Sequence, residues 1–285
     1  MPEIRLVGAR TLKLAKLAPI FTALLLAACS SPPSPPPPQT IDLPHSVKWG
    51  RGLDLPTDAS DVLNQLKEGR VDFVARYYRA PESRWPALSA SEAQQLSSLG
   101  LKIVAVWESH SRKPAHFTFS SGYSDAMAAY PQARAVGQPA GSAIYFAVDF
   151  NAQLLEPIDE YFRGIAAGLI AASRGNANYT IGVYGSGAVC DELKRAGLAQ
   201  YCWLSNSIAW TNSISYQDWN IRQGGRLPEL PFNHDGDEAR DEYGAFQVAD
   251  NGIATSYNAG VPRELVAPQT PQDRQSLTAS AISSR

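Results

Sequence analysis

Residues 142–151 read Ser-Ala-Ile-Tyr-Phe-Ala-Val-Asp-Phe-Asn. A short apolar run rich in branched and aromatic residues fits a strand better than a helix. A helical pattern follows from Pro157 to Ser173, and proline suits a first helical turn. The same unit recurs on both sides. The runs Lys48–Leu55, Val71–Tyr78, Leu101–Glu108, Tyr179–Tyr184 and Cys202–Ser205 alternate with helical patterns. Those patterns are Asp58–Glu68, Ser89 to Gly100, Tyr123–Val136 and Gly187–Ala196. Ser89 and Glu92 are spaced as a capping box, and Gly100 is placed to close that helix. Trp219–Gln223 and Leu230–His234 are weaker strand candidates, and helical periodicity is poor after Ser205.

Alternating strands and helices predict an α/β fold. A doubly wound sheet would carry a glycine-rich phosphate loop after its first strand, and GLDLPTDAS at 52–60 is not one. The expectation is therefore an irregular TIM-type (β/α) barrel, a single domain over residues 46–267, with its last βα units reduced.

In such barrels the working residues sit at the C-terminal ends of strands. The candidate strands end at or near Asp54, Arg76 to Tyr78, Glu108, Asp149, Tyr184, Ser205, Gln223 and Asp235. A carboxylate closing a buried apolar run is costly without a partner. Glu108 and Asp149 are accordingly read as functional, with structural pairing, for example to Arg76, as the competing account. Asp54 and Asp235 border loops, where an acid can equally cap a turn. Convergent carboxylates with Trp, Tyr and Gln are the usual equipment of glycoside chemistry, in which one acid protonates the leaving oxygen. Arg76, Tyr78, Tyr184, Trp203, Gln223 and Asp235 are the expected sugar contacts. Trp107, Trp203 and Trp219 are candidate flat faces, although buried aromatics more often fill core.

The composition agrees with a folded, exported domain. The chain has 285 residues, a formal charge of −2 and 44% hydrophobic residues. Near-neutral charge argues against a nucleic-acid partner. Arg5, Arg10, Lys13 and Lys16 precede an apolar run from Leu17 to Ala28, too short for the roughly 20 residues of a membrane span. It reads as a signal peptide over 1–28. Leu26-Ala27-Ala28-Cys29 resembles the bacterial lipobox, which implies lipidation of Cys29 and an envelope location at the outer membrane or cell surface. Residues 29–45 hold a proline run suited to an extended tether, and 268–285 read as a frayed tail. Of three cysteines, this leaves Cys190 and Cys202, which are expected to pair in an oxidising compartment. The lesser alternative is a reduced pair, held too far apart to bridge by the helix between them.

Several blocks together resemble a bacterial family of glycoside-hydrolase-like domains related to the family 25 glycoside hydrolases, the lysozyme-like N-acetylmuramidases. They are GLDLPTDASDV at 52–62, DFVARYY at 72–78, LGLKIVAVWE at 99–108 and AIYFAVDFN at 143–151. IGVYGSGAVCDEL at 181–193, WLSNSIAW at 203–210 and WNIRQ at 219–223 continue the likeness in the same order. The resemblance implies an irregular barrel and a glycan ligand such as peptidoglycan. It matches Asp54 to the muramidases' first-strand Asp, and Asp149 to the first acid of their Asp-x-Glu motif. Where that motif has its catalytic Glu, this chain has Asn151, and an amide cannot act as a general acid. Glu108 is the expected replacement proton donor, with Asp149 as partner carboxylate and Asp54 and Asp235 positioning water or substrate. The rival reading is a glycan-binding module without turnover.

Other chemistries fit less well. His45, His110, His116 and His234 show no zinc-protease spacing, so no metal or other cofactor is expected. His234, Asp235 and Asp237 read as an exposed acidic turn. Gly185-Ser186-Gly187 is a tight turn into a helix rather than a nucleophile elbow. The chain is read as a monomer.

Overall fold

The computed structural model describes residues 48–176, 178–248 and 254–256. The signal, Cys29, the tether and the 268–285 tail lie outside the described residues. Eight strands close into a barrel: β1 (Trp49–Asp54), β2 (Phe73–Tyr78), β3 (Lys102–Trp107), β4 (Ala143–Ala147), β5 (Thr180–Gly185), β6 (Tyr201–Leu204), β7 (Ile221–Gln223) and β8 (Asp235–Arg240). Neighbours from β1 to β7 pair in parallel, and β3–β4 pairing completes the run. β8 is antiparallel to both β7 and β1 and seals the ring. Two short strands, β9 (Phe246–Val248) and β10 (Ala254–Ser256), extend from β3 on the outside of that closure. The expected irregular α/β barrel is thus observed.

The helices are α1 (Leu63–Glu68), α2 (Ala90–Ser98), α3 (Phe119–Ala135), α4 (Glu156–Ser173) and α5 (Gly187–Arg195). Their starts follow from local chemistry. The hydroxyl of Ser89 accepts from Glu92 N, that of Thr118 from Ser121 N, and that of Ser186 from Val189 N. Each satisfies an amide with no partner inside its helix. Thr118 starts α3 four residues before the expected Tyr123, since its cap lies upstream of the first apolar period. Ser186 is wholly buried in its capping role. α3 and α4 pack closely because Gly122 and Gly164 face each other's helix. A Cβ on either would lie 1.9 Å from Tyr161 O or 2.1 Å from Phe119 O.

The expected strand Leu230–His234 is not one. Residues 224–234 form a connection, and the strand begins at Asp235. His234 pins that connection: Leu227 N donates to its Nε2 at 2.9 Å, and its Nδ1 lies 2.9 Å from Phe232 O. Asp235 and Asp237 therefore sit in β8, not in an exposed turn.

Side-chain alternation divides the core in two. Phe73, Ala75, Val104, Tyr145, Trp203 and Ile221 fill the barrel interior. Val74, Ile103, Ala105, Ile144, Phe146 and Val183 face the helices. Arg76 and Tyr78 fall on the outer set. Arg76 Nε and Nη2 donate to Glu92 of α2 at 2.5 and 3.1 Å, both side chains having no exposure. Glu92 Oε1 also accepts from Ala59 N at 2.8 Å. Of the expected capping box only the serine half forms, because the glutamate is committed to Arg76. Tyr78 donates to Gln138 Oε1 at 2.6 Å.

Cys190 and Cys202 are bonded, with Cα atoms 5.5 Å apart. Cys190 lies in the first turn of α5 and Cys202 on the outer face of β6, next to the strand from which α5 departs. The return from α5 to β6 thus brings the pair together. In the chain-entropy model a closure of this size contributes about 3 kcal/mol.

Breaking a buried ion pair leaves an uncompensated charge. Glu92→Ala is expected to lower unfolding free energy by about 3–5 kcal/mol in urea titrations.

Candidate functional site

At the C-terminal mouth of the barrel lies a cavity of about 310 Å³. Its wall brings together Asp54, Glu108, Asp149 and Asp235 from β1, the ends of β3 and β4, and the start of β8. Tyr184, Trp203 and Gln223 complete the set that sequence reasoning placed here. All lie on the inward parity of their strands, as Asp54 opposite Asp235 illustrates. Arg76 and Tyr78 carry the opposite parity and are absent from the cavity. Trp107 packs under the helices, and Trp219 lies on the outer wall beneath Arg222 and Arg240.

Asp54 is held on both oxygens. Tyr77 OH donates to Oδ1 at 2.7 Å and Gln223 Nε2 to Oδ2 at 3.0 Å. Tyr184 OH in turn donates to Gln223 Oε1 at 3.0 Å, which orients the amide. Burial pushes the Asp54 carboxyl up to about 7, the two hydrogen bonds opposing it and the charges of Asp235 and Glu108 adding to it. Glu108 is also raised, first by burial and then by Asp149, against the pull of Arg79 and a hydrogen bond from Ser111. Arg79 Nη1 lies 3.7 Å from Glu108 Oε2, and its guanidinium stacks over Tyr77 at 4.0 Å. Asp149 is ion-paired with Arg112. Arg79 and Arg112, carried by the loops after β2 and β3, thus provide the cations that the sequence reading sought in Arg76.

Beneath the mouth, Trp203 Nε1 donates to Asp237 Oδ1 at 2.9 Å. Asp237 is buried, and burial pushes its carboxyl well above the usual range, with the charge of Asp54 adding to the effect. Trp203 is itself almost completely buried, so it forms the floor of the cavity rather than an open stacking face. Asn151 is turned away: its Oδ1 accepts from Thr211 N at 3.0 Å and Thr211 Oγ1 at 2.9 Å. Tyr77, Arg112 and Ser207 were missed from sequence. Tyr77 was recoverable, since counting by two from Phe73 or Ala75 selects it over its neighbours.

The family model described as "Rv2525c-like, glycoside hydrolase-like domain" matches residues 64–262. The chain belongs to this family. Its glycoside-hydrolase-like barrel is accordingly a family property. Protein YbfG of Bacillus subtilis strain 168 is 30% identical over 157 residues, covering 50% of this chain and 21% of YbfG. FadG of the same organism is 29% identical over 163 residues, 55% of this chain and 28% of FadG. The chain thus spans about a fifth to just over a quarter of the length of these curated relatives. The crystal structure of the Tat-secreted protein Rv2525c from Mycobacterium tuberculosis, in complex with L-tartrate, superposes with a TM-score of 0.54 at 22% identity. That likeness covers 69% of this chain and 98% of the other, and shows a common fold.

The mouth acids of this Rv2525c-like barrel give its stability a pH dependence. A carboxyl raised in the folded state binds its proton more tightly there than in the unfolded chain. The stability it contributes is complete below about pH 4 and is lost as pH rises through about 7 for Asp54. Glu108 acts with the same sign. Asp54→Asn is therefore expected to flatten the fall in stability between pH 4 and 8, read from urea midpoints. An unchanged slope would contradict the assignment.

Proposed function

We propose that this chain is an exported, lipid-anchored envelope protein whose barrel hydrolyses a cell-envelope glycan such as peptidoglycan. The observation that carries the reading is the convergence of Asp54, Glu108, Asp149 and Asp235 on one cavity. In the proposed mechanism Glu108 is the proton donor, because its enclosure and the adjacent Asp149 raise its carboxyl above the usual range. Asp149, ion-paired with Arg112, is the partner carboxylate facing the positive charge that develops at the sugar carbon. Asp54, steadied by Tyr77 and Gln223, and Asp235 opposite it, position water or substrate. Tyr184, Trp203 and Gln223 shape the sugar contact. No step calls for a metal or organic cofactor.

A second reading, glycan binding without turnover, is favoured by one observation. Asn151 stands where a muramidase-like acid would, and its amide is occupied by Thr211. Incubating the purified chain with peptidoglycan separates the two. Hydrolysis predicts soluble fragments whose release falls at least about a hundredfold in Glu108→Gln, the usual contribution of a general acid. Saturable binding with no fragments from either protein would establish the second reading instead.

For the anchor, residues 1–28 are the proposed signal peptide, Cys29 the lipidated new N-terminus, 29–45 the tether, 46–267 the barrel domain and 268–285 the tail. Export of the Tat-secreted relative supports an exported location. Mass spectrometry of the mature protein is expected to find acylated Cys29 at its start. Cys29→Ser is expected to move the chain from the membrane fraction to the soluble one.

A further inference from the structure

Because β8 runs against β7 and β1, no crossover helix connects these strands, and among the described residues their outer face is covered by the 224–234 connection. Between that connection and the sheet lies a groove of about 540 Å³, larger than the mouth cavity. One end is marked by Trp49, a residue 61% exposed whose ring lies 6.0 Å from that of Trp219. Along its length Arg222 and Glu238 form an ion pair across β7 and β8, and Arg51 pairs with Glu229 of the connection. Leu227 adds an apolar wall.

The other end adjoins the mouth. Gln223 and Asp235 line the mouth cavity, and the next residues, Gly224 and Gly236, line the groove. Gly224 N donates to Gly236 O at 2.6 Å, joining the two strands at the rim. No atom lies within 4 Å of a Cβ built on Gly225, and only Gly236 O, at 3.6 Å, lies near one built on Gly224. This stretch of rim is therefore a low glycine sill, bordered by Leu227 against Gly236 and by Asn206, whose Nδ2 donates to Gly224 O at 3.2 Å. From the sill at Gly236 to Trp49, opposite Arg240, the groove follows β8 for four residue steps, about 14 Å at the usual strand rise.

We propose that this groove is a second saccharide-binding site, which takes the distal part of a glycan chain whose proximal part occupies the mouth. A sugar ring has an apolar C–H face that suits the exposed indole of Trp49, and hydroxyls that suit paired guanidinium and carboxylate groups. Mixed, nearly balanced charge along the groove suits a polyhydroxyl chain better than a polyanion or polycation. Continuity over the glycine sill selects a long strand over an unrelated small ligand. The proposal rests on the mouth being a glycan site, but not on hydrolysis there.

The test is calorimetric titration of the full chain with a single peptidoglycan disaccharide and with a long soluble glycan strand. Trp49→Ala is expected to weaken the long strand about tenfold and leave the disaccharide unchanged. Arg222→Gln serves as a second, independent probe with the same expected pattern. Circular dichroism checks that both variants fold. Equal affinity of wild type and both variants for the long strand would overturn the proposal, as would equal loss for both ligands or no saccharide binding at all. If deleting residues 30–45 raised long-strand affinity tenfold in wild type but not in Trp49→Ala, the groove would belong to that segment, and the proposal would fail. Length-dependent binding lost in Trp49→Ala without product release by wild type would sustain the groove while refuting hydrolysis.

Discussion

Eight strands joined edge to edge in a ring leave each strand residue two directions, into the barrel or out under the helices. The interior is narrow, and its large residues fit only because small ones stand beside them. Gly52 lies against the Phe73 ring and Gly182 against that of Tyr145, and a Cβ at either would fall within 2.6 Å of the ring. The same alternation that fills the interior with Phe73, Tyr145 and Trp203 carries Asp54, Glu108, Asp149 and Asp235 to its mouth. Closure therefore brings the acids within reach of one another, and the apolar packing below them removes the water that would have screened their charge.

That crowding is tolerable because each acid is treated differently. Asp149 has an arginine of its own, Glu108 shares a more distant one, and Asp54 has only neutral donors. Asp237 lies deeper still, with the indole of Trp203 on one oxygen. The result is a gradient from an ion-paired carboxylate to acids whose proton affinity is raised by burial, the division of labour that acid–base chemistry needs. The buried Arg76–Glu92 pair takes no part in it and instead ties β2 to α2.

The reversed last strand has two consequences at once. It presents Asp235 at the mouth from a strand that starts there rather than ends there. It also deprives the β7–β8–β1 wall of a crossover helix, leaving Trp49 and the Arg222–Glu238 pair on an open face. The mouth and the outer groove are thus products of one topological event, and both meet at Gly224 and Gly236.

Strand and helix positions were legible because they rest on local chemistry. Apolar runs of strand length, hydroxyls at helix starts and acids at run ends depend on neighbours in sequence. Asp54, Glu108, Asp149, Tyr184, Trp203 and Gln223 were placed at the barrel mouth from those signals, whereas Asp235 was placed there as the end of a run, Leu230–His234, that is not a strand. Arg76 and Tyr78 were misplaced because a shift of one residue along a strand turns a side chain to the opposite face, and only pairing register settles which face is inside. The direction of β8 was equally hidden, since a run of six residues reads alike in either sense. The partners of the acids came from loops distant in sequence, and the proton affinity of Asp54 depends on its enclosure at the barrel mouth. Local pattern therefore determined which elements form and where their chemistry lies. Closure of the ring decided which side chains meet, because facing and burial are properties of register rather than of sequence neighbours.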